Sequence, residues 1–151
     1  MIPMDEKPIV LLVDDVSAIL LLLSKILESE YKIVLAPNGE IALKLVEIHK
    51  PNLILLDIEM PDMDGFEICT CLKENPERRG IPIIFLSGRE SGQDEAKAFA
   101  LGAVDFIRKP FHPAVIRARV KYHLEQRYFM DMLVSKNENF MKNNALFLDT
   151  T

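Results

Sequence analysis

The stretch that most narrows the fold runs from Asn52 to Gly65, reading Asn-Leu-Ile-Leu-Leu-Asp-Ile-Glu-Met-Pro-Asp-Met-Asp-Gly. Four apolar residues lead straight into a carboxylate, Asp57, and then into a loop punctuated by Pro61 and Gly65. A short, wholly apolar run is the pattern of a strand buried on both faces, as in a parallel sheet. In open α/β sheets the carboxyl edge of the strands is where ligands bind. Alone, Asp57 reads equally as a site residue or as the start of a loop, with Asp62 or Asp64 capping the helix that follows. The rest of the chain decides between these.

Pro8 to Val13 is a second near-continuous apolar run, and it too ends on acids, Asp14 and Asp15. Val16 to Glu28 then reads as a helix whose core stripe is Ile19, Leu22, Leu23, Ile26 and Leu27, leaving Leu20 and Leu21 outside it. Tyr31 to Ala36 is strand two, and Lys32 suits a sheet edge, where a charge is tolerated. A helix from Asn38-Gly39 to about His49 turns Ile41, Ala42, Leu45, Val46 and Ile48 inward. Gly65 opens a third helix with Phe66, Ile68, Cys69 and Leu72 apolar. Ile81 to Leu86 is strand four, with Pro82 at its beginning, where a missing N–H is tolerable, and Ser87 at its end. Ser91 to Leu101 is a helix stopped by Gly102 in the expected position. Ala103 to Arg108 is strand five, followed by Lys109-Pro110-Phe111, and a last helix runs from Pro113 through Leu124 to about Val134. Strict β-α alternation implies a parallel sheet with helices on both faces and right-handed crossovers.

Bulk properties exclude several classes. The 151 residues suffice for one domain with a full core. A hydrophobic content of 49% with 27% charged residues is that of an ordinary globular protein, and a net charge of −5 implies no general affinity for nucleic acid. Cys69 and Cys71, two apart on a helix, do not share a face. Neither they nor His49, His112 and His123 have metal-ligand spacing. The amino terminus lacks a signal pattern, and the longest apolar run, Ala18 to Leu23, is far short of a membrane span. The expectation is a soluble cytoplasmic protein with reduced thiols and no contact with membrane or nucleic acid.

In a parallel sheet the strand ends share one edge, so Asp14, Asp15, Asp57, Ser87 and Lys109 should converge. Like charges about 4 Å apart cost roughly 4 kcal/mol per pair at an effective dielectric near 20. The acids must therefore take up protons or hold a cation. Oxygen ligands without imidazole or thiolate select a hard ion, with Mg²⁺ the cellular choice. Such a centre beside a lysine and a hydroxyl suits a phosphoryl group attacked by an Asp57 oxygen. No glycine-rich phosphate loop or nucleotide fingerprint is present, so the phosphoryl group must arrive on another molecule.

Four motifs in order carry a family resemblance: Val-Asp-Asp at 13–15, Leu-Asp-Ile-Glu-Met-Pro-Asp-Met-Asp-Gly at 56–65, Leu-Ser-Gly at 86–88 and Asp-Phe-Ile-Arg-Lys-Pro-Phe at 105–111. From about Pro8 to Leu124 the chain resembles a response-regulator receiver domain of bacterial two-component signalling. The resemblance implies a doubly wound, flavodoxin-like α/β fold with strand order 2-1-3-4-5. It makes Asp57 the phospho-acceptor and a Mg²⁺ ligand, Asp15 a direct Mg²⁺ ligand, Asp14 a ligand through water, and the backbone carbonyl of Glu59 a further ligand. Lys109 would contact the phosphoryl group, with a cis bond to Pro110. Ser87 would swing onto a phosphoryl oxygen, and Phe106 would turn into the space left behind, a two-state element biased by one new charge. The partner implied is a sensor histidine kinase or phosphotransfer protein. The chain would take part in its own phosphorylation and slow dephosphorylation without being a turnover enzyme.

Positions that vary within such a family add detail. Phenylalanine at 106 has no hydroxyl with which to report an active state. Glu59, two past the acceptor, and Arg89, two past Ser87, should overhang the site, pair across its mouth and hinder the hydrolytic water. An aspartate-based phosphohydrolase is the rival from the enzyme class; it would want a second aspartate at position 59 and a cap domain. A flavodoxin-like binding module leaves the acid cluster and Lys109 unexplained.

Residues 1–127 are expected to form the receiver and 128–151 a helical extension or linker. Ile116, Val120, Leu124, Tyr128 and Met132 form a stripe at i+4 spacing that drifts about 40° per step and so makes a poor coiled-coil seam. After Ser135 the sequence turns polar and ends in Leu146-Phe147-Leu148. A frayed linker toward an output domain beyond this sequence, a dimer helix and a docking tail all fit. A homodimer would use either this helix or the face formed by helix four, strand five and helix five.

Overall fold

A computed structural model describes residues 6–88 and 92–149, with side chains placed as far as residue 143. Five strands, β1 (Ile9–Val13), β2 (Lys32–Ala36), β3 (Leu53–Asp57), β4 (Ile83–Ser87) and β5 (Asp105–Arg108), form one parallel sheet. Their order is β2-β1-β3-β4-β5. Helices α1 (Ser17–Leu27), α2 (Gly39–His49), α3 (Gly65–Glu74), α4 (Gly92–Ala100) and α5 (Pro113–Asp149) alternate with the strands.

The period-two alternation of a strand divides the core into two layers. Leu11, Val13, Ile54, Leu56, Ile83, Phe85 and Phe106 face the side covered by α2, α3 and α4. Val10, Leu12, Leu53, Leu55, Ile84, Leu86 and Ile107 face α1 and α5. The central strands β1, β3 and β4 are buried on both faces, which is why they read as continuous apolar runs. Edge strand β2 carries exposed Lys32, as its charge required.

Two helix faces differ from the sequence expectation. In α1 it is Leu20 that is buried with Leu23, Ile26 and Leu27, while Leu22 is exposed and Ile19 only partly covered. The run Ala18–Leu23 offers two nearly equivalent apolar phases, and packing against both the sheet and α5 selects the one containing Leu20. In α2 only Ala42 and Val46 of the expected set are buried; Leu45 is partly covered, and Ile41 and Ile48 are exposed. This helix lies over the edge pair β1–β2, where the surface available for burial is narrow. The last helix also differs in extent. It does not end near Val134 but continues to Asp149, through the asparagine-rich polar stretch.

Local chemistry fixes the elements that frame the strand ends. Asn38 caps α2 by accepting from the Ile41 amide at 2.9 Å, and Asp64 caps α3 by accepting from the Glu67 amide at 2.9 Å. At Gly65 a β-carbon would run into the Asp57 carbonyl oxygen, so only glycine lets the loop close onto the end of β3. That closure is held by the Gly65 amide donating to the Ile58 carbonyl at 2.9 Å. Gly102, with φ at +100°, ends the α4 segment in the left-handed region.

Candidate functional site

Register brings the strand ends together: Val13 pairs with Leu56, Asp57 with Leu86, and Ser87 with Arg108. Asp14, Asp15 and Asp57 consequently meet at one rim, each offering a carboxylate oxygen within 4.8 Å of the others. Asp14 and Asp57 are buried and Asp15 is exposed. The backbone amide of Val16 donates to Asp14 Oδ1 at 2.9 Å, which aims the other oxygen toward Lys109.

Lys109 bridges the two buried acids. Its Nζ donates to Asp14 Oδ2 at 3.1 Å and to Asp57 Oδ1 at 3.2 Å. Its backbone amide donates to the Ser87 carbonyl at 2.7 Å, tying the β5 exit to the end of β4. The Lys109–Pro110 bond is cis, as the resemblance implied. Burial pushes the Asp57 carboxyl up to about 6, Asp14 adds to this by like-charge repulsion, and the Lys109 ammonium opposes both. For Lys109, burial works to lower the value, but Asp57 and Asp14 outweigh it and hold the ammonium above its ordinary range.

One lysine cannot neutralise three carboxylates. An all-oxygen donor set of this compactness fits a hard divalent ion, and no other cluster of three such ligands occurs among the described residues. A pocket lined by Asp15, Val16, Asp57, Glu59, Gly88 and Lys109 opens the centre to solvent. Ser87 is buried at the end of β4, and Glu59 is exposed at the rim. Phe106 is buried in the same layer as Phe85 and Ala98. Arg89 lies outside the described residues.

A second polar group was not anticipated from the sequence. Asp105, at the start of β5, is buried and has three partners: one Arg119 guanidinium nitrogen 2.8 Å from both of its oxygens, His123 Nε2 at 2.8 Å from Oδ2, and the Phe106 amide at 2.8 Å from Oδ1. Burial would raise its pKa, but these hydrogen bonds hold the carboxyl below its ordinary range. The available signal was an acid entering an otherwise apolar strand, with Arg119 and His123 four apart on the following helix.

Comparison with known proteins supports the same assignment. A family model described as the response regulator receiver domain matches residues 10–121. A Vibrio cholerae protein named "Probable cyclic di-GMP phosphodiesterase" is 37% identical over 129 residues, which cover 85% of this chain and 29% of that protein. The transcriptional regulatory protein YvrH of Bacillus subtilis is 41% identical over 125 residues, 82% of this chain and 52% of that one. The chain thus spans from less than a third to about half the length of these relatives. Among solved structures, a CheY-like receiver domain protein from Methanospirillum hungatei is 30% identical with a TM-score of 0.78, covering 83% of this chain and 99% of that one. Sheet order, rim chemistry and sequence coverage agree: this chain belongs to the response regulator receiver domain family of two-component signalling.

Proposed function

We propose that this receiver is a phospho-accepting switch that takes its phosphoryl group on Asp57. The observation that carries the proposal is the Lys109 ammonium held between Asp14 and Asp57 at one open rim. A sensor histidine kinase or phosphotransfer protein supplies the group as a phosphohistidine. An Asp57 carboxylate oxygen attacks phosphorus in line, a P–O bond forms as the P–N bond breaks, and the departing imidazole nitrogen takes a proton. Lys109 donates to a phosphoryl oxygen and offsets its charge.

The residues fit Mg²⁺, with Asp15 and Asp57 as direct ligands, Asp14 through water and the Glu59 backbone carbonyl completing the protein's contribution. When bound, the ion supplies charge neutralisation for the transferring phosphoryl oxygens. Ser87 then closes on a phosphoryl oxygen while Phe106 repacks, which alters the face that β5 shares with its flanking helices. Phosphorylated Asp57 hydrolyses slowly, and the chain turns over no substrate of its own. Glu59 and Arg89 hinder that hydrolysis as a pair across the mouth. An exposed ion pair contributes under about 1 kcal/mol, so Glu59→Ala and Arg89→Ala should each speed dephosphorylation a few-fold; an unchanged rate removes this part of the reading.

We take residues 1–127 as the receiver unit and 128–151 as its helical extension, acting in the cytoplasm, where thiols such as Cys69 and Cys71 stay reduced. An output domain beyond this sequence is consistent with relatives much longer than this chain. The test is incubation with a small acyl phosphate and Mg²⁺ followed by intact mass. A stoichiometric gain of one phosphoryl group, absent in Asp57→Asn and absent with chelator, is expected. No gain in the wild type, or an undiminished gain in Asp57→Asn, overturns the proposal.

A further inference from the structure

Exposed large apolar side chains are scattered over the receiver, but on the distal part of α5 several gather on one side. Met130, Leu133, Val134, Phe140 and Met141 are each more than half exposed, between 52% and 64%. From Leu133 to Asn143 every side chain of the helix is exposed, so this segment has no receiver surface beneath it. Helices in water are stabilised mainly by covering an apolar face. Something must cover this one.

The spacing identifies what. Met130, Leu133, Asn137 and Phe140 alternate steps of three and four, and Asn144 and Phe147 continue the series in the sequence. Leu133-Val134, Phe140-Met141 and Phe147-Leu148 are pairs repeated every seven residues. A seven-residue period keeps a stripe on one side of a slightly underwound helix, unlike the drifting i+4 stripe from Ile116 to Met132. Ser135, Glu138, Asn139 and Lys142 occupy the opposite side and are exposed.

We propose that this face is the seam of a parallel two-stranded coiled coil with a second copy of this chain. Asparagine in the seam argues for an identical partner in register. There Asn137 meets Asn137 of the other helix, and the two amides can hydrogen-bond to one another. Against an antiparallel or unrelated apolar helix the same amide would be buried without a partner. The seam begins where α5 leaves the receiver body, so the two bodies are held side by side. Nothing in this pairing depends on phosphorylation of Asp57.

The test uses the unphosphorylated 151-residue chain in sedimentation equilibrium at micromolar concentrations. The expected mass is that of two chains. Leu133→Asp and Phe140→Asp should give monomers that retain the receiver's circular dichroism, and Ser135→Asp should leave the dimer intact. In a Cys71→Ser background, Asn137→Cys should cross-link under mild oxidation to a covalent dimer, since an in-register seam brings the two thiols together. A wild-type monomer, a dimer that survives both aspartate substitutions, or a dimer that forms no cross-link at position 137 overturns the proposal.

Discussion

Asp57 is the least favourably placed charge at the rim, because it is buried beside Asp14 and only partly compensated by Lys109. Its folded-state pKa is raised from 3.8 to about 6. The folded chain therefore holds more protons on this group than the unfolded chain across that interval. The stability it allows is fully present below pH 3.8 and is lost as pH rises through about 6. In metal-free buffer above that range, Asp57→Asn should be more stable than wild type by up to ~3 kcal/mol. The difference should vanish at the acid end; urea unfolding at several pH values measures it. Asp105 behaves oppositely. Its partners hold its pKa down, so its contribution is present above the ordinary carboxylate range and lost as pH falls through the folded-state value. Arg119→Ala should cost about 1–3 kcal/mol near neutrality, and less in acid, in the same unfolding assay.

At the scale of elements, the loop between β3 and α3 governs where Asp57 sits. Gly65 packs on the Asp57 carbonyl with no room for a β-carbon. Gly65→Ala should destabilise the domain by roughly 1–3 kcal/mol. If Asp57 takes the phosphoryl group as proposed, the variant should also lower the rate of acyl-phosphate labelling, because the backbone that carries Asp57 must shift. Helix α5 divides in two. Its first part places Ile116, Val120 and Leu124 in the core against α1, whereas from Leu133 to Asn143 every side chain is exposed. Leu133→Asp and Phe140→Asp should therefore leave the receiver's unfolding free energy unchanged, while Val120→Ala should lower it by about 2 kcal/mol.

For the whole molecule, the proposed Mg²⁺ site would couple ion binding to folding. Three carboxylates gathered within 4.8 Å exist only in the folded chain, so a bound divalent ion stabilises it by mass action. At a hundredfold excess over the dissociation constant, Mg²⁺ should add about 2.7 kcal/mol, read as a rise in Tm. That rise should shrink strongly in Asp15→Asn and be reversed by chelator. No described helix is long and apolar enough to cross a membrane, which agrees with the short apolar runs in the sequence.

The strand ends can be read from the amino acids alone. Continuous apolar runs closing on Asp14, Asp57 and Ser87 are legible without coordinates, because a strand buried on both faces leaves no alternation to misread. The Gly102 stop, the Asn38-Gly39 helix start and the family motifs were equally plain. Packing in three dimensions was needed to select which phase of α1 is buried, how narrow the buried stripe of α2 is, and that Asp105 finds Arg119 and His123. Those outcomes depend on neighbours distant in the chain. A leucine-rich helix has several near-equal faces, and burial of one is settled by the surface it meets rather than by its own periodicity. The length of α5 was hidden for a related reason: its polar, asparagine-rich stretch lowers local helix propensity, and the heptad beneath it comes into view only once the side chains above it are known to be bare.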